Sequence, residues 1–94
     1  MSTFVFIDYR VSDYDIWKEA FDEHQAVREG LGAVRHWLYT GAEDGNEVFV
    51  ALEVSDLDEA RALAHDPGLA SAMAEAGARV ERVTFREEYE VVDY

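Results

Sequence analysis

The fold is decided by Val11-Ser-Asp-Tyr-Asp-Ile-Trp-Lys-Glu-Ala-Phe-Asp-Glu-His-Gln-Ala-Val-Arg28, a stretch that joins the end of a strand to a helix. Its large and polar side chains recur at helical spacing, at Tyr14, Trp17, Phe21, His24 and Arg28. On a helix with about 3.6 residues per turn, these positions form one stripe. The pattern predicts a helix from Ser12 or Asp13 to about Leu31, ended by Gly30 and Gly32. Its aromatic rings would pack on a sheet, with an imidazole and a guanidinium on the same side.

The composition limits the classes of protein that this chain can represent. Its 94 residues, 49% of them hydrophobic, suit one domain over residues 1–94. The net charge of −13, from 21 acids and 8 bases, disfavours binding to nucleic acid or to an anionic membrane. The acidity fits either high solubility or life in high salt, and both readings stay open. The absence of cysteine excludes disulfides and thiolate metal sites.

The N-terminal residues and the length of the apolar runs bear on location. Residues 1–7 have a strand pattern and lack the basic segment and cleavage site of a signal peptide. No apolar run approaches the roughly 20 residues needed to cross a bilayer. We therefore expect a cytoplasmic protein that has no membrane partner.

Alternating side chains predict strands over residues 3–11, 33–40, 47–54 and 80 to about 92. Asp44-Gly45 predicts a hairpin turn between the second and third strands. A second helix should begin at Ser55-Asp56 and break at Asp66-Pro67, followed by a short helix over residues 68–76. The order is then β-α-β-β-α-β.

This order predicts an α+β, ferredoxin-like fold. Its antiparallel sheet would have the strand order 4-1-3-2, with the helices on one face. The other face would carry aromatic side chains, at Phe4, Phe6, Trp37, Phe49 and Phe85. An exposed aromatic surface of this size marks an interaction surface, so we expect a homodimer in which two sheets pack face to face. The long last strand could also exchange or pair with a second copy.

Several short groups of residues match a known pattern over nearly the whole chain. They are Val11-x-Asp13-Tyr14-x-x-Trp17, Phe21-Asp-Glu-His24, Arg28, Gly32, Tyr39, Asn46-Glu47-Val48, Glu53, Asp56, Ala60, Pro67-x-Leu69, Met73 and Ala76-Gly77. In this order they resemble the dimeric α+β barrel superfamily, and most of all the small proteins grouped with antibiotic biosynthesis monooxygenases, often labelled cyclases. The resemblance implies a homodimeric barrel with a pocket between sheet and helices or inside the barrel. It also implies cofactor-independent oxygenation or cyclisation of aromatic polyketides, although a shared fold does not by itself fix a reaction.

Two side chains of the helical stripe are catalytic candidates. His24 could act as a general base or orient a phenolic oxygen, or it could simply bond to a neighbouring strand or subunit. Arg28, one turn later, could hold a carboxylate or an enolate. Alternatively, Arg28 forms a salt bridge on this acidic surface.

The substrate-binding candidates lie in the predicted strands, at Trp37, Tyr39, His36, Phe49 and Glu53. The aromatic rings could stack on a planar ligand, or belong to the core or a dimer interface. His36 could be a second imidazole of the pocket or a hydrogen-bonded core histidine. Glu53 could move protons if it faced a cavity, or form an ion pair between strands or subunits.

The side chains that could bind a cofactor are sparse. The chain has no His-x-His, Glu-x-x-His or phosphate-binding glycine motif, so we expect neither a metal nor another cofactor. Of the functions that remain, two rank above an interaction module whose acidic face would bind a basic partner. The first is a cofactor-free monooxygenase or cyclase acting on an aromatic or polyketide-like molecule. The second is a non-catalytic dimer that binds a small ligand or has a structural role.

Overall fold

The computed structural model describes residues 2–94 as an antiparallel sheet packed against short helices. The elements are β1 (Thr3–Val11), α1 (Tyr14–Glu23), α2 (Gln25–Gly30), β2 (Arg35–Thr40), β3 (Glu47–Val54), α3 (Leu57–Ala64), α4 (Pro67–Glu75) and β4 (Ala78–Glu87). The strands lie in the order β2-β3-β1-β4, and each neighbouring pair is antiparallel. The predicted ferredoxin-like fold and strand order are therefore confirmed. Within residues 2–94, no helix has both the length and the apolar character needed to cross a membrane.

The core lies between the helices and the two central strands, β1 and β3. Successive side chains of a strand point to opposite faces, so every second residue faces the helices. The buried hydrophobic residues of these strands on that side are Val5, Ile7, Tyr9, Val11, Val48, Val50, Leu52 and Val54. From α1, Trp17 is fully buried and Phe21 nearly so. The helix stripe therefore packs its aromatic rings on the sheet, as its spacing predicts.

Aspartate side chains cap three of the helices. The carboxylates of Asp13, Asp56 and Asp66 each accept a hydrogen bond from the backbone N–H three residues later, at 2.9–3.2 Å. These bonds satisfy N–H groups that have no partner within the helix. Pro67 follows Asp66 as the first residue of α4. The predicted starts of these helices are therefore correct.

The first predicted helix is interrupted at His24, which lies between α1 and α2. Nδ1 of His24 contacts the carbonyl oxygen of Ala20 at 2.8 Å, so the ring nitrogen must donate this bond. The backbone N–H of His24 turns instead to the carbonyl of Phe21, at 3.3 Å. Because the side chain occupies the carbonyl that a regular helix would use at this point, the prediction of one continuous helix to about Leu31 is wrong.

The last strand is shorter than predicted. β4 runs from Ala78 to Glu87, whereas the sequence pattern suggested residues 80 to about 92. Glu87 pairs with Thr3, the first residue of β1, so the residues after Glu87 have run past the end of the neighbouring strand. Residues 88–94 form neither strand nor helix.

A β-bulge in β4 corrects the predicted position of Phe85. Asp8 pairs with Arg82 whereas Tyr9 pairs with Val80, so β4 has one extra residue at this point. An extra residue reverses the alternation of the side chains that follow. Phe85 therefore lies opposite Val5 and packs against the core instead of joining the aromatic face.

The sheet face opposite the helices carries the remaining aromatic rings, and it is called the open face below. Its central rings are those of Phe4, Phe6, Trp37 and Phe49. Phe6 lies 6.0 Å from Phe4 and 5.5 Å from Phe49, and Phe4 lies 5.8 Å from Trp37, all between ring centroids. The four side chains are only partly buried, so the predicted aromatic surface is present.

Candidate functional site

An apolar cavity of about 340 Å³ lies between the sheet and the helices α3 and α4. This volume is within the range of small-molecule sites. The cavity is lined by Ile7, Tyr9, Phe21, Arg28, Val50, Leu52, Leu63, Ala64, Asp66, Leu69, Ala70, Met73, Ala74, Ala78, Arg79, Val80 and Val83. Its wall includes Val80 and Val83 of the edge strand β4, whose side chains are exposed.

Short side chains create this space. Ala64 of α3, Ala70 and Ala74 of α4, and Ala78 of β4 all line the cavity. Ala70 and Ala74 are themselves exposed, so the cavity opens to solvent beside α4. The Ala-rich fourth helix is the sequence signal that could have located it.

Arg28 is the one strongly buried charged side chain of the described residues, with 4% of its surface exposed. Its Nη1 donates to the carbonyl oxygen of Phe21 at 2.6 Å, and its guanidinium carbon lies 3.6 Å from the centroid of the Phe21 ring. Its Nη2 is buried and has no hydrogen-bond partner among residues 2–94. Leaving such a donor unpaired is costly, so an acceptor that reached this nitrogen would be stabilising.

Tyr9 is a further polar side chain of the cavity wall. Burial raises the pKa of its phenol to about 12, although the positive charge of Arg28 acts in the opposite direction. The phenol is therefore neutral at pH 7 and can donate a hydrogen bond. Burial likewise lowers the pKa of Arg28, and Tyr9, Asp22 and Glu29 oppose this shift. An arginine nevertheless stays protonated at pH 7, so the cavity contains a fixed positive charge.

His36 lies on the helix side of β2, opposite Leu52. Its ring meets the edge of the Phe21 ring at 90°, with 5.2 Å between the centroids. Partial burial lowers the pKa of His36, and the charges of Arg28 and Lys18 lower it further, so its imidazole is neutral at pH 7. His36 and Arg28 both line a small pocket of about 70 Å³ beside the cavity.

The structure separates the two catalytic candidates of the helix stripe. His24 lies in a shallow groove between α1 and α4, near Ile16, Glu19 and Ala72. Arg28 instead lines the cavity and the small pocket, and His24 lines neither. A catalytic role for His24 stays a prediction.

The other substrate-binding candidates lie on the open face, so the sheet separates them from Arg28. Trp37, Tyr39 and Phe49 line a depression of about 530 Å³ there. Glu53 accepts a hydrogen bond from the hydroxyl of Ser2, and its Oε1 lies 3.6 Å from Nε of Arg35. The predicted residues thus fall into two groups, one on each side of the sheet, and their roles in binding stay predictions.

Structural comparison shows which known proteins have this fold. No protein-family model matches the chain, and no curated protein sequence does. SnoaB, a cofactor-independent oxygenase from Streptomyces nogalater, is similar in structure with a TM-score of 0.81. The two sequences are 18% identical, and the match covers 99% of this chain and 98% of SnoaB.

Two further structures support the same assignment of fold. A Bordetella bronchiseptica protein, provisionally named an antibiotic biosynthesis monooxygenase, has a TM-score of 0.79 at 10% identity, covering 95% of this chain and 98% of that one. Rv0793 from Mycobacterium tuberculosis has a TM-score of 0.64 at 14% identity, covering 97% and 99%. The resemblance to antibiotic biosynthesis monooxygenase-like proteins is therefore confirmed for the fold.

Proposed function

We propose that the protein binds a planar apolar molecule through one ionised oxygen and catalyses its cofactor-free oxygenation. The observation that carries this proposal is the buried, positively charged Arg28 on the wall of a largely apolar cavity, with its Nη2 unpaired among residues 2–94. An apolar wall favours an aromatic body, and a buried guanidinium favours an oxyanion. The similarity in fold to SnoaB, a cofactor-independent oxygenase, supports the same reaction class.

The chemistry follows from the effect of a fixed positive charge on an acidic substrate. An opposite charge nearby lowers the pKa of a carboxyl or phenol by about 1–3 units. Arg28, with Tyr9 as a second donor, would therefore stabilise a phenolate or an enolate. The carbon conjugated to that oxyanion becomes electron-rich and can attack dioxygen. The resulting hydroperoxide loses water, so that a CH₂ group and O₂ become a carbonyl group and H₂O.

We further propose that two copies pair through their open faces. Rings such as Phe6 and Phe49 form a continuous aromatic surface that is only partly buried in one chain. Covering such a surface is favourable by roughly 25 cal/mol per Å² of apolar area. A second copy would also close the depression beside Trp37, giving the barrel interior that the resemblance implies. A cytoplasmic location stays a prediction from the sequence.

The second candidate function is ligand binding without turnover. One observation favours it: no histidine lines the cavity, and the carboxylate of Asp66 on its wall accepts the N-cap hydrogen bond of α4. Arg28 and Arg79 are cations, and Tyr9 is neutral. An ionised ligand could then be held in the cavity without turnover.

Binding of 2-naphthol tests the site separately from the reaction. The absorption of bound naphtholate should appear at a lower pH than that of free naphtholate. Arg28→Met should abolish this shift, whereas Val27→Lys, an exposed change on the same helix, should preserve it. Anthrone, which has an acidic CH₂ group, then tests turnover as oxygen uptake and formation of a ketone. An unshifted naphtholate transition would refute the anion site, and a shifted transition without oxygen uptake would favour the binding protein.

A further inference from the structure

We propose that His36 relays the proton that the bound substrate loses, passing it through the small pocket to solvent. This inference rests on the proposed oxygenation, because it supplies a histidine base, and no histidine lines the cavity. His36 does not line the cavity. It would therefore act through water and not by direct contact with the substrate.

Phe21 and Arg28 connect the two compartments. The guanidinium of Arg28 lies over the face of the Phe21 ring, and the imidazole of His36 meets the edge of the same ring. Arg28 and Phe21 both line the cavity, while Arg28 and His36 both line the small pocket. A ligand oxygen held by Arg28 would thus lie at the boundary between the cavity and the pocket that contains His36.

The small pocket is suited to water. Its volume of about 70 Å³ is large enough to hold water. It is also lined by Gln25, Glu29 and Arg35, which are exposed polar residues and give the pocket access to solvent. Water in this pocket would link Arg28 and His36 to the surface.

The proton transfer needs no oxidant, because the substrate loses a proton and no electrons. The substrate loses H⁺ from its acidic O–H or C–H bond, and the electron pair of that bond stays on the substrate as the oxyanion that Arg28 stabilises. Water carries the proton to the neutral imidazole of His36, which becomes imidazolium and then releases the proton to solvent. Dioxygen enters only afterwards, at the ionised substrate.

The charges around His36 favour rapid release of the proton. Arg28 from α2 and Lys18 from α1 repel the imidazolium, and Asp22 from α1 attracts it more weakly. Glu29 and Arg35 also line its pocket. Burial and the two nearby cations therefore keep the imidazole neutral between turnovers and ready to accept the next proton.

Oxygen uptake with anthrone tests the relay. His36→Gln should lower kcat by about 10²-fold while KM changes little, since positioned general bases typically contribute 10²–10⁴-fold. Imidazole added to the buffer should restore part of the lost rate, which a purely structural role would not allow. The matched control is His65→Gln, which changes an exposed histidine at the end of α3 and should leave kcat unchanged.

The wild-type protein gives a second test that does not depend on the folding of a variant. Its kcat should fall as the pH drops through a single ionisation that lies below 6.5. A pH-independent kcat, or a His36→Gln variant with full activity, would overturn the relay. Equilibrium naphtholate formation should be unchanged in His36→Gln, because Arg28 sets it. If wild-type protein forms no naphtholate or consumes no oxygen, the proposed function itself fails, and the relay fails with it.

Discussion

Phe21 holds Arg28 through both its backbone and its ring. Its carbonyl oxygen accepts a hydrogen bond from Nη1 at 2.6 Å, and its ring centroid lies 3.6 Å from the guanidinium carbon. Nη1 is therefore occupied, while Nη2 stays buried without a partner among the described residues. Phe21 thus fixes the direction of the free donor, a task that a carboxylate often performs for a buried arginine.

Replacing Arg28 should raise the stability of the protein and abolish its binding of naphtholate. Arg28→Met removes a buried charge that has no acidic partner within residues 2–94, so we expect the free energy of unfolding to rise by about 1 kcal/mol. Phe21 keeps a donor to its carbonyl, since the backbone N–H of His24 lies 3.3 Å away. Urea unfolding measures the stability, and 2-naphthol titration measures the binding. A loss of more than about 1 kcal/mol would show that the cation–π contact outweighs the burial of the charge.

The titration of His36 should depend on Arg28. Because burial and then the charges of Arg28 and Lys18 lower its pKa, the imidazole should titrate below the ordinary value of about 6.5 in a proton NMR titration. Arg28→Met should raise this pKa toward the ordinary value, and Val27→Lys should have a smaller effect. An unchanged His36 titration in Arg28→Met would contradict the electrostatic contact.

This depressed pKa also has a consequence for stability. Between the folded and unfolded pKa values of His36, the unfolded chain binds more protons than the folded protein. The stability that neutral His36 contributes is therefore complete above its pKa in the unfolded chain, which is about 6.5. This stability is lost as the pH falls from that value through the lower pKa of the folded protein. His36→Phe should weaken this acid-induced loss, as measured by thermal unfolding at pH 7.5 and 5.5. An identical pH dependence in the variant would indicate that other groups cause the loss.

Two glycines should respond differently to alanine. Gly77 has φ +87°, and a Cβ atom there would lie 2.3 Å from Oγ of Ser12. Gly77→Ala should therefore cost about 1–2 kcal/mol, the range for left-handed backbone in an L-residue. Gly30 ends α2, and a methyl group added there would meet no atom within 4 Å, so Gly30→Ala should keep or raise stability by up to about 1 kcal/mol. Equal effects in chemical unfolding would contradict this assignment.

The open face should control the oligomeric state. Phe6→Lys places a charge at the centre of the aromatic surface, so a dimer that pairs through this face should dissociate to single chains. Val27→Lys also changes an apolar residue with 43% of its surface exposed, but it lies on α2 and should leave the dimer intact. Light scattering at low and high salt measures the mass. Wild-type protein that is monomeric at both salt concentrations would refute the paired sheets.

The local sequence determined most of the secondary structure and the order of the strands. Asp13, Asp56 and Asp66 cap helices where their side chains can reach a free N–H group, and alternation in β1 and β3 separates the two faces of the sheet. These features depend on neighbours within a few residues. They can therefore be read without knowledge of the rest of the molecule.

Only the tertiary structure decided which side chains meet. The bulge near Arg82 moves Phe85 to the core, and His24 and Arg28 line different pockets. The cavity between β4 and α4 depends on which short side chains face one another across different elements. Register, helix interruption and packing are set by contacts between distant parts of the chain. The sequence could therefore identify Arg28 as a candidate, but not the cavity that its side chain helps to line.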